Sequence, residues 1–151
     1  MTSRASPLDT HLGYWLRLVS NHVSRRFARQ VEAAGVTVAE WVVLRALFDH
    51  EAQQPSALAA ALGLTRGAIS RLADRLEKKA LIERRADESD GRSHALRLTD
   101  AGRALVPKLA TLADNNDAAF FAALPDKDRA ALEKILRTLA SRHDLKQSPI
   151  D

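Results

Sequence analysis

The chain has no cysteine, so it can form no disulfide and carry no thiol-based redox switch. Aromatic residues are scarce, with two Trp, one Tyr and four Phe. Long apolar runs are absent too, and nothing approaches the roughly twenty consecutive apolar residues of a membrane-spanning helix. The N-terminus, Met-Thr-Ser-Arg-Ala-Ser-Pro, lacks the apolar centre of a signal peptide. A cytoplasmic protein with no membrane contact is therefore expected. There is no Gly-rich phosphate loop and no nucleophile elbow, so no catalytic residue, no cofactor and no enzyme activity are expected. The five histidines, His11, His22, His50, His94 and His143, form no close pair with a third ligand, so no metal site is assigned.

What is present is an ordinary apolar content, 46%, in 151 residues rich in Ala and Leu. That suits one mainly helical domain, or one lobe with dimerisation helices. The net charge is +4, and its distribution matters more than its size. Residues 65–103 hold ten Lys or Arg against seven Asp or Glu. Most of the basic excess therefore sits on one tract. A solvated surface would also be charged, so the excess counts only where it coincides with a motif.

That tract extends from Leu58 to Gly102. A short helix ends at Gly63, and Gly63-Leu64-Thr65 forms a turn. Thr65 is placed to cap a second helix. There Ile69, Leu72, Ala73 and Leu76 are spaced i, i+3, i+4, i+7, which buries one face. The opposite face shows Arg66, Gly67, Ser70, Arg71, Asp74 and Arg75. It is small near its start and rich in hydrogen-bonding groups, as a helix entering a DNA major groove requires. A hairpin follows. Leu81–Ala86 and His94–Leu98 alternate in polarity around the charged turn Asp87–Ser93.

A helix-turn-helix followed by such a hairpin is a winged helix, and this tract resembles the MarR family of bacterial transcriptional regulators. The resemblance is carried by the helix-turn-helix and the Leu76–Arg84 exit from its second helix. It continues in Asp90-x-Arg92 in the wing and Leu98-Thr99-x-x-Gly102 after it. The flanking helices also fit. One departure is Ala80, where many relatives have glycine. Alanine tolerates a left-handed conformation less well, so a differently shaped junction is expected there.

Around the tract, Leu8 to about Ala34 reads as one long amphipathic helix. Its stripe is Leu8, Leu12, Trp15, Leu16, Val19, Val23, Phe27 and Val31, which is wider than a lone surface helix needs. Thr37-x-x-Glu40 is a capping box, with Val36 and Trp41 as a staple. Asp49–Pro55 reads as a polar connection, and Ser56 as the cap of the short helix. Thr99 opens a helix to about Ala123 through Pro107, which can bend it. A last helix runs from about Lys127 to His143, and Leu145–Asp151 reads as frayed. The expected fold is mainly α with a small β-hairpin (α+β). The winged helix-turn-helix lobe takes residues 35–100. It is flanked by an arm and dimerisation helix at 1–34 and dimerisation helices at 101–151. The resemblance implies the same homodimer, which would read a pseudo-palindromic operator in double-stranded DNA.

Candidate DNA contacts follow. Arg66, Ser70 and Arg71 are placed for base edges, because arginine bonds guanine bidentately and serine reads bases less selectively. Arg75, Lys78 and Thr65 are placed for phosphates. Arg92 at the wing tip can enter the minor groove. The resemblance implies that Asp90 orients a neighbouring basic side chain. Arg84, Arg85 and Arg97 line the hairpin stem, where pairing with Glu83 or Asp87 competes. The resemblance also implies a cleft for a small aromatic acid, relieving a repressor. Trp15, Arg17, His22 and Trp41 lie on the helices expected to line it, though the Trp residues would serve equally well as core. Two alternatives stay open: a ligand-independent regulator or activator, and a winged helix that binds protein without a specific DNA site. Real phosphate contacts would separate the last by a steep loss of affinity with salt.

Overall fold

The computed structural model describes residues 5–86 and 94–150. A single 3-10 turn at Leu8–Thr10 precedes α1 (Leu12–Ala33). The expected continuous helix from Leu8 is therefore broken at His11, which is extended. The break is held by local bonds. Thr10 Oγ1 donates to the Pro7 carbonyl at 2.7 Å, and Trp15 Nε1 to the Asp9 carbonyl at 2.8 Å.

α2 (Val38–Phe48) begins at the expected capping box. Glu40 N donates to Thr37 Oγ1 and Thr37 N to Glu40 Oε2, each at 3.2 Å. α3 (Pro55–Leu62) starts two residues earlier than a cap at Ser56 would set it. Gln54 stands at its cap without a side-chain capping bond, and Pro55 occupies the first turn. Proline lacks the N–H that would need a cap and presets φ for a helix, so Ser56 is not required. Gly63 ends α3 at φ +67°. Thr65 Oγ1 then accepts from Ala68 N at 3.1 Å and opens α4 (Arg66–Lys78). Ile69, Leu72, Ala73 and Leu76 are its buried residues, as their spacing requires.

Two antiparallel strands follow, β1 (Ile82–Ala86) and β2 (His94–Leu98), with Ile82 opposite Leu98 and Arg84 opposite Leu96. The stretch read as a plain connection also joins them. Gln53 forms a β-bridge with Leu96 through two 2.8 Å backbone bonds. A single residue of pairing is too short to register in polarity alternation. The wing candidates Asp90 and Arg92 lie outside the described residues.

α5 (Asp100–Phe121) runs through Pro107, and α6 (Asp126–Arg142) completes the helices. Thr99 caps α5 as expected, accepting from Gly102 N at 3.1 Å. Gly102 has a further reason to be glycine, because a Cβ there would overlap the Leu81 carbonyl oxygen. The junction at Ala80 departs from expectation. Ala80 adopts φ 56°, the left-handed shape glycine would take. Three bonds hold it: Ala80 N to Glu77 O at 2.9 Å, Leu81 N to Leu76 O at 3.0 Å, and Thr99 Oγ1 to Ala80 O at 2.7 Å.

One core joins these elements. Leu44 and Leu47 of α2, Leu58 of α3, Ile69 and Leu76 of α4, and Ile82 and Leu96 of the hairpin are all but fully buried. Val31 of α1 and Val106 and Leu109 of α5 belong to the same cluster. Each such side chain contributes about 1.5–3 kcal/mol by leaving water. Beyond the core, apolar side chains remain outside. Leu12, Trp15, Leu16 and Val19 of α1 and Ile135, Leu136 and Leu139 of α6 are exposed, and α6 buries no residue.

Residues 145–150 of the tail are not frayed. After a reversal at Asp144 (φ 53°), they return to the helix-turn-helix. Ser148 N donates to the Leu62 carbonyl at 2.9 Å. A Cβ on Gly63 would come within 2.8 Å of the Gln147 Cα. The carbonyls at the end of a helix lack internal partners, and one of them provides this docking point. No helix among the described residues is long and apolar enough to cross a membrane.

Candidate nucleic-acid interface

The face of α4 turned from the core carries the candidate base readers. Thr65, Arg66, Gly67, Ser70, Arg71, Asp74, Arg75 and Lys78 are all exposed. The start of this face is shallow, with Gly67 and Ser70 between the arginines. A Cβ on Gly67 would lie 3.5 Å from Arg71 Nη1, so Arg71 folds back over the glycine. Thr65 spends one oxygen lone pair on its cap and keeps a hydroxyl proton to donate to a phosphate.

Ion pairs sort the basic residues into two groups. Arg84 Nη2 meets Asp74 Oδ1 at 2.6 Å, and Arg84 Nε lies 3.5 Å from Glu77 Oε2. Arg85 and Arg97 share Glu83 at 3.2 and 2.9 Å. Among the described residues, Arg66, Arg71, Arg75 and Lys78 form no salt bridge. Arg84 thus offsets one of the two acidic charges of the helix face from the strand, while among the described residues its four cations meet no acid. Strand parity explains the role of Arg84. It shares the inner face with Ile82, Leu96 and Leu98, against α4. Glu83, Arg85 and Arg97 lie on the outer face. This parity was legible in the sequence, since Ile82 and Arg84 are two apart.

A cavity of about 590 Å³ lies between α1 and α2, within the range of small-molecule sites. Phe27, Val38, Trp41 and Val42 form its apolar wall, and Ser20, Asn21, Ser24 and Arg25 its polar one. Ser148 and Pro149 of the tail complete it. Of the four residues expected to meet an effector, Trp41 lines this cavity, beside Phe27 at a ring-centroid distance of 6.5 Å. The others lie elsewhere. Trp15 is half-exposed near the start of α1, Arg17 is exposed, and His22 lies against Phe120 at a ring-centroid distance of 5.5 Å, the rings tilted by 37°. Arg25 is the cation that sequence reasoning missed. Ser20, Ser24 and Ala28, spaced i, i+4, i+8, were the available signal of a small-residue line on α1.

Comparison with known proteins agrees with this geometry. The MarR family model matches residues 36–94, from just before α2 to the first residue of β2. The transcriptional repressor MprA of Escherichia coli is 34% identical over 118 residues, covering 77% of this chain and 67% of that protein. Bordetella bronchiseptica BpsR was solved in a study of how 6-hydroxynicotinic acid regulates its DNA binding. It superposes with a TM-score of 0.78 at 25% identity, covering 91% of this chain and 98% of that one. A cysteine-to-serine mutant of E. coli MarR, complexed with operator DNA, superposes with a TM-score of 0.76 at 25% identity. That match covers 85% of this chain and 92% of the other. The winged-helix architecture, the matched residues and the repressor relative lead to one conclusion: the chain belongs to the MarR family of transcriptional regulators.

Proposed function

We propose that this DNA-binding regulator is a homodimeric repressor of a pseudo-palindromic operator, released by a small aromatic acid. The observation that carries the proposal is the sorting of charge on α4. Among the described residues, Arg66, Arg71, Arg75 and Lys78 have no acidic partner, while Asp74 and Glu77 share Arg84, which offsets one of their two charges. Arg66, Ser70 and Arg71 read base edges from the first turns of the helix. Thr65, Arg75 and Lys78 hold phosphates, and Arg92 in the wing enters the minor groove.

The exposed apolar residues of α1 and α6 support dimerisation, since monomers rarely leave so many large side chains in contact with water. On this reading, residues 1–34 and 101–151 supply the arms and 35–100 the reading lobe. The cavity beside Trp41 supports an aromatic ligand whose carboxylate meets Arg25. Such a ligand acts by population shift. It must bind the DNA-incompetent spacing of the two lobes better, with a coupling of about 1–3 kcal/mol. The cytoplasm is where such a regulator works.

The test is a titration of the purified protein against DNA from upstream of its own gene, at two salt concentrations, with and without salicylate. Expected is tight, sequence-dependent binding that weakens steeply with salt and again with salicylate. Binding indifferent to salicylate would reject the effector class and keep the regulator. Binding no better than to random DNA would reject that operator and favour a protein partner for the winged helix.

A further inference from the structure

Three helix ends meet at one ammonium group. Lys79 directly follows α4, and its Nζ lies 2.6 Å from Glu40 Oε2 and donates to the Gly35 carbonyl at 2.9 Å. Glu40 is the third residue of α2 and is 1% exposed. Gly35 lies just past the end of α1, at φ +93°. The charge on Glu40 is not required by the capping box, because a glutamine would close the same box. A buried carboxylate is costly unless it is paired, and Lys79 is the cation that the structure sets against it. The ends of α1 and α4 and the start of α2 are thereby joined through two side chains.

The position of this joint gives it a consequence for DNA reading. The C-terminal end of α4 is held on its other side by the left-handed turn at Ala80 and the Thr99 hydroxyl. Lys79 adds the tie towards α1. We propose that Lys79 is a positioning residue, which fixes the angle of α4 against the start of α2 and the end of α1 by pairing with Glu40 and donating to the Gly35 carbonyl, and so supports sequence discrimination without touching DNA. The proposal rests on α4 being the reading helix. A shift at its C-terminal end moves the side chains at its start, where Arg66 and Arg71 sit. Base-edge bonds depend on that geometry, whereas non-specific attraction to phosphates does not.

The test uses the full chain with Lys79→Met, Lys79→Arg, Glu40→Gln and the Lys79→Met/Glu40→Gln pair. Folding is checked by circular dichroism and oligomeric state by sedimentation. Affinity is measured across a salt series for a duplex selected by the wild-type protein from a random pool, and for an unselected duplex. If the wild-type protein selects no duplex, the reading of α4 fails, and that is distinct from failure at Lys79. Lys79→Met is expected to lower the ratio of selected to unselected affinity about tenfold, or 1.4 kcal/mol. The salt slope should be unchanged. Lys79→Arg should restore most of the ratio, and the double variant should be no worse than Lys79→Met. A loss shared equally by both duplexes, with a slope smaller by about one, would make Lys79 a phosphate contact and overturn the proposal. An unchanged ratio would reduce the pair to a contribution to stability and overturn it as well. Should Lys79→Met not fold, Glu40→Gln decides. It keeps the capping box, its ratio must fall too, and an unchanged ratio rejects the proposal.

Discussion

Arg84 Nη2 donates to Asp74 Oδ1 across 2.6 Å, from the inner face of β1 to the exposed side of α4. The pair is partly exposed, so it adds at most about 1 kcal/mol to folding. Its larger effect is on charge, since it offsets one of the two negative charges with which Asp74 and Glu77 repel phosphate. Arg84→Ala is therefore expected to weaken DNA binding about tenfold, or 1.4 kcal/mol. Adding Asp74→Asn and Glu77→Gln to that variant should recover most of the loss. If the triple variant binds no better than Arg84→Ala, Arg84 is a direct DNA contact.

The cations of α4 that meet no acid among the described residues should separate by role. Arg66→Ala and Arg71→Ala are each expected to cost about 1–3 kcal/mol on the cognate duplex and to relax the preference at particular base pairs. Lys78→Ala should weaken binding about uniformly across sequences and reduce the salt slope by about one. A base-substitution series at two or more salt concentrations checks both.

Ala80 bears the backbone cost of a left-handed residue with a side chain, about 1–2 kcal/mol. Ala80→Gly removes that cost, and the freedom glycine gains in the unfolded chain offsets part of the gain. A net gain of about 0.5–1 kcal/mol is expected, and it should raise Tm by about 2 °C. A thermal melt monitored by circular dichroism checks it, and a lower Tm would show that φ is not what limits this junction.

Gly102 sets helix propensity against packing. On propensity alone, Gly102→Ala should stabilise α5 by about 1 kcal/mol. The Leu81 carbonyl stands where the Cβ would go, and backbone cannot swing aside as a side chain can. Destabilisation by about 2–3 kcal/mol is expected, as for overpacking in a core. Urea unfolding gives the sign, and a higher midpoint would mean that α5 can move away from the turn before β1.

Much of this molecule was determined by its sequence alone, through local physics. The threonine caps at 37, 65 and 99 depend only on a hydroxyl and the next three N–H groups. The buried face of α4 depends only on 3.6-residue periodicity. The helix-turn-helix, the hairpin and the family were legible for that reason. Tertiary structure decided what depends on residues far apart in the chain. It placed Lys79 against Glu40 and docked Ser148 on Leu62. It put Arg25 rather than Arg17 beside Trp41. It also brought the Thr99 hydroxyl to Ala80, so that an alanine takes the turn expected of a glycine. Periodicity says which face of an element is buried. Which distant charge, carbonyl or ring that face meets is settled only when the elements pack.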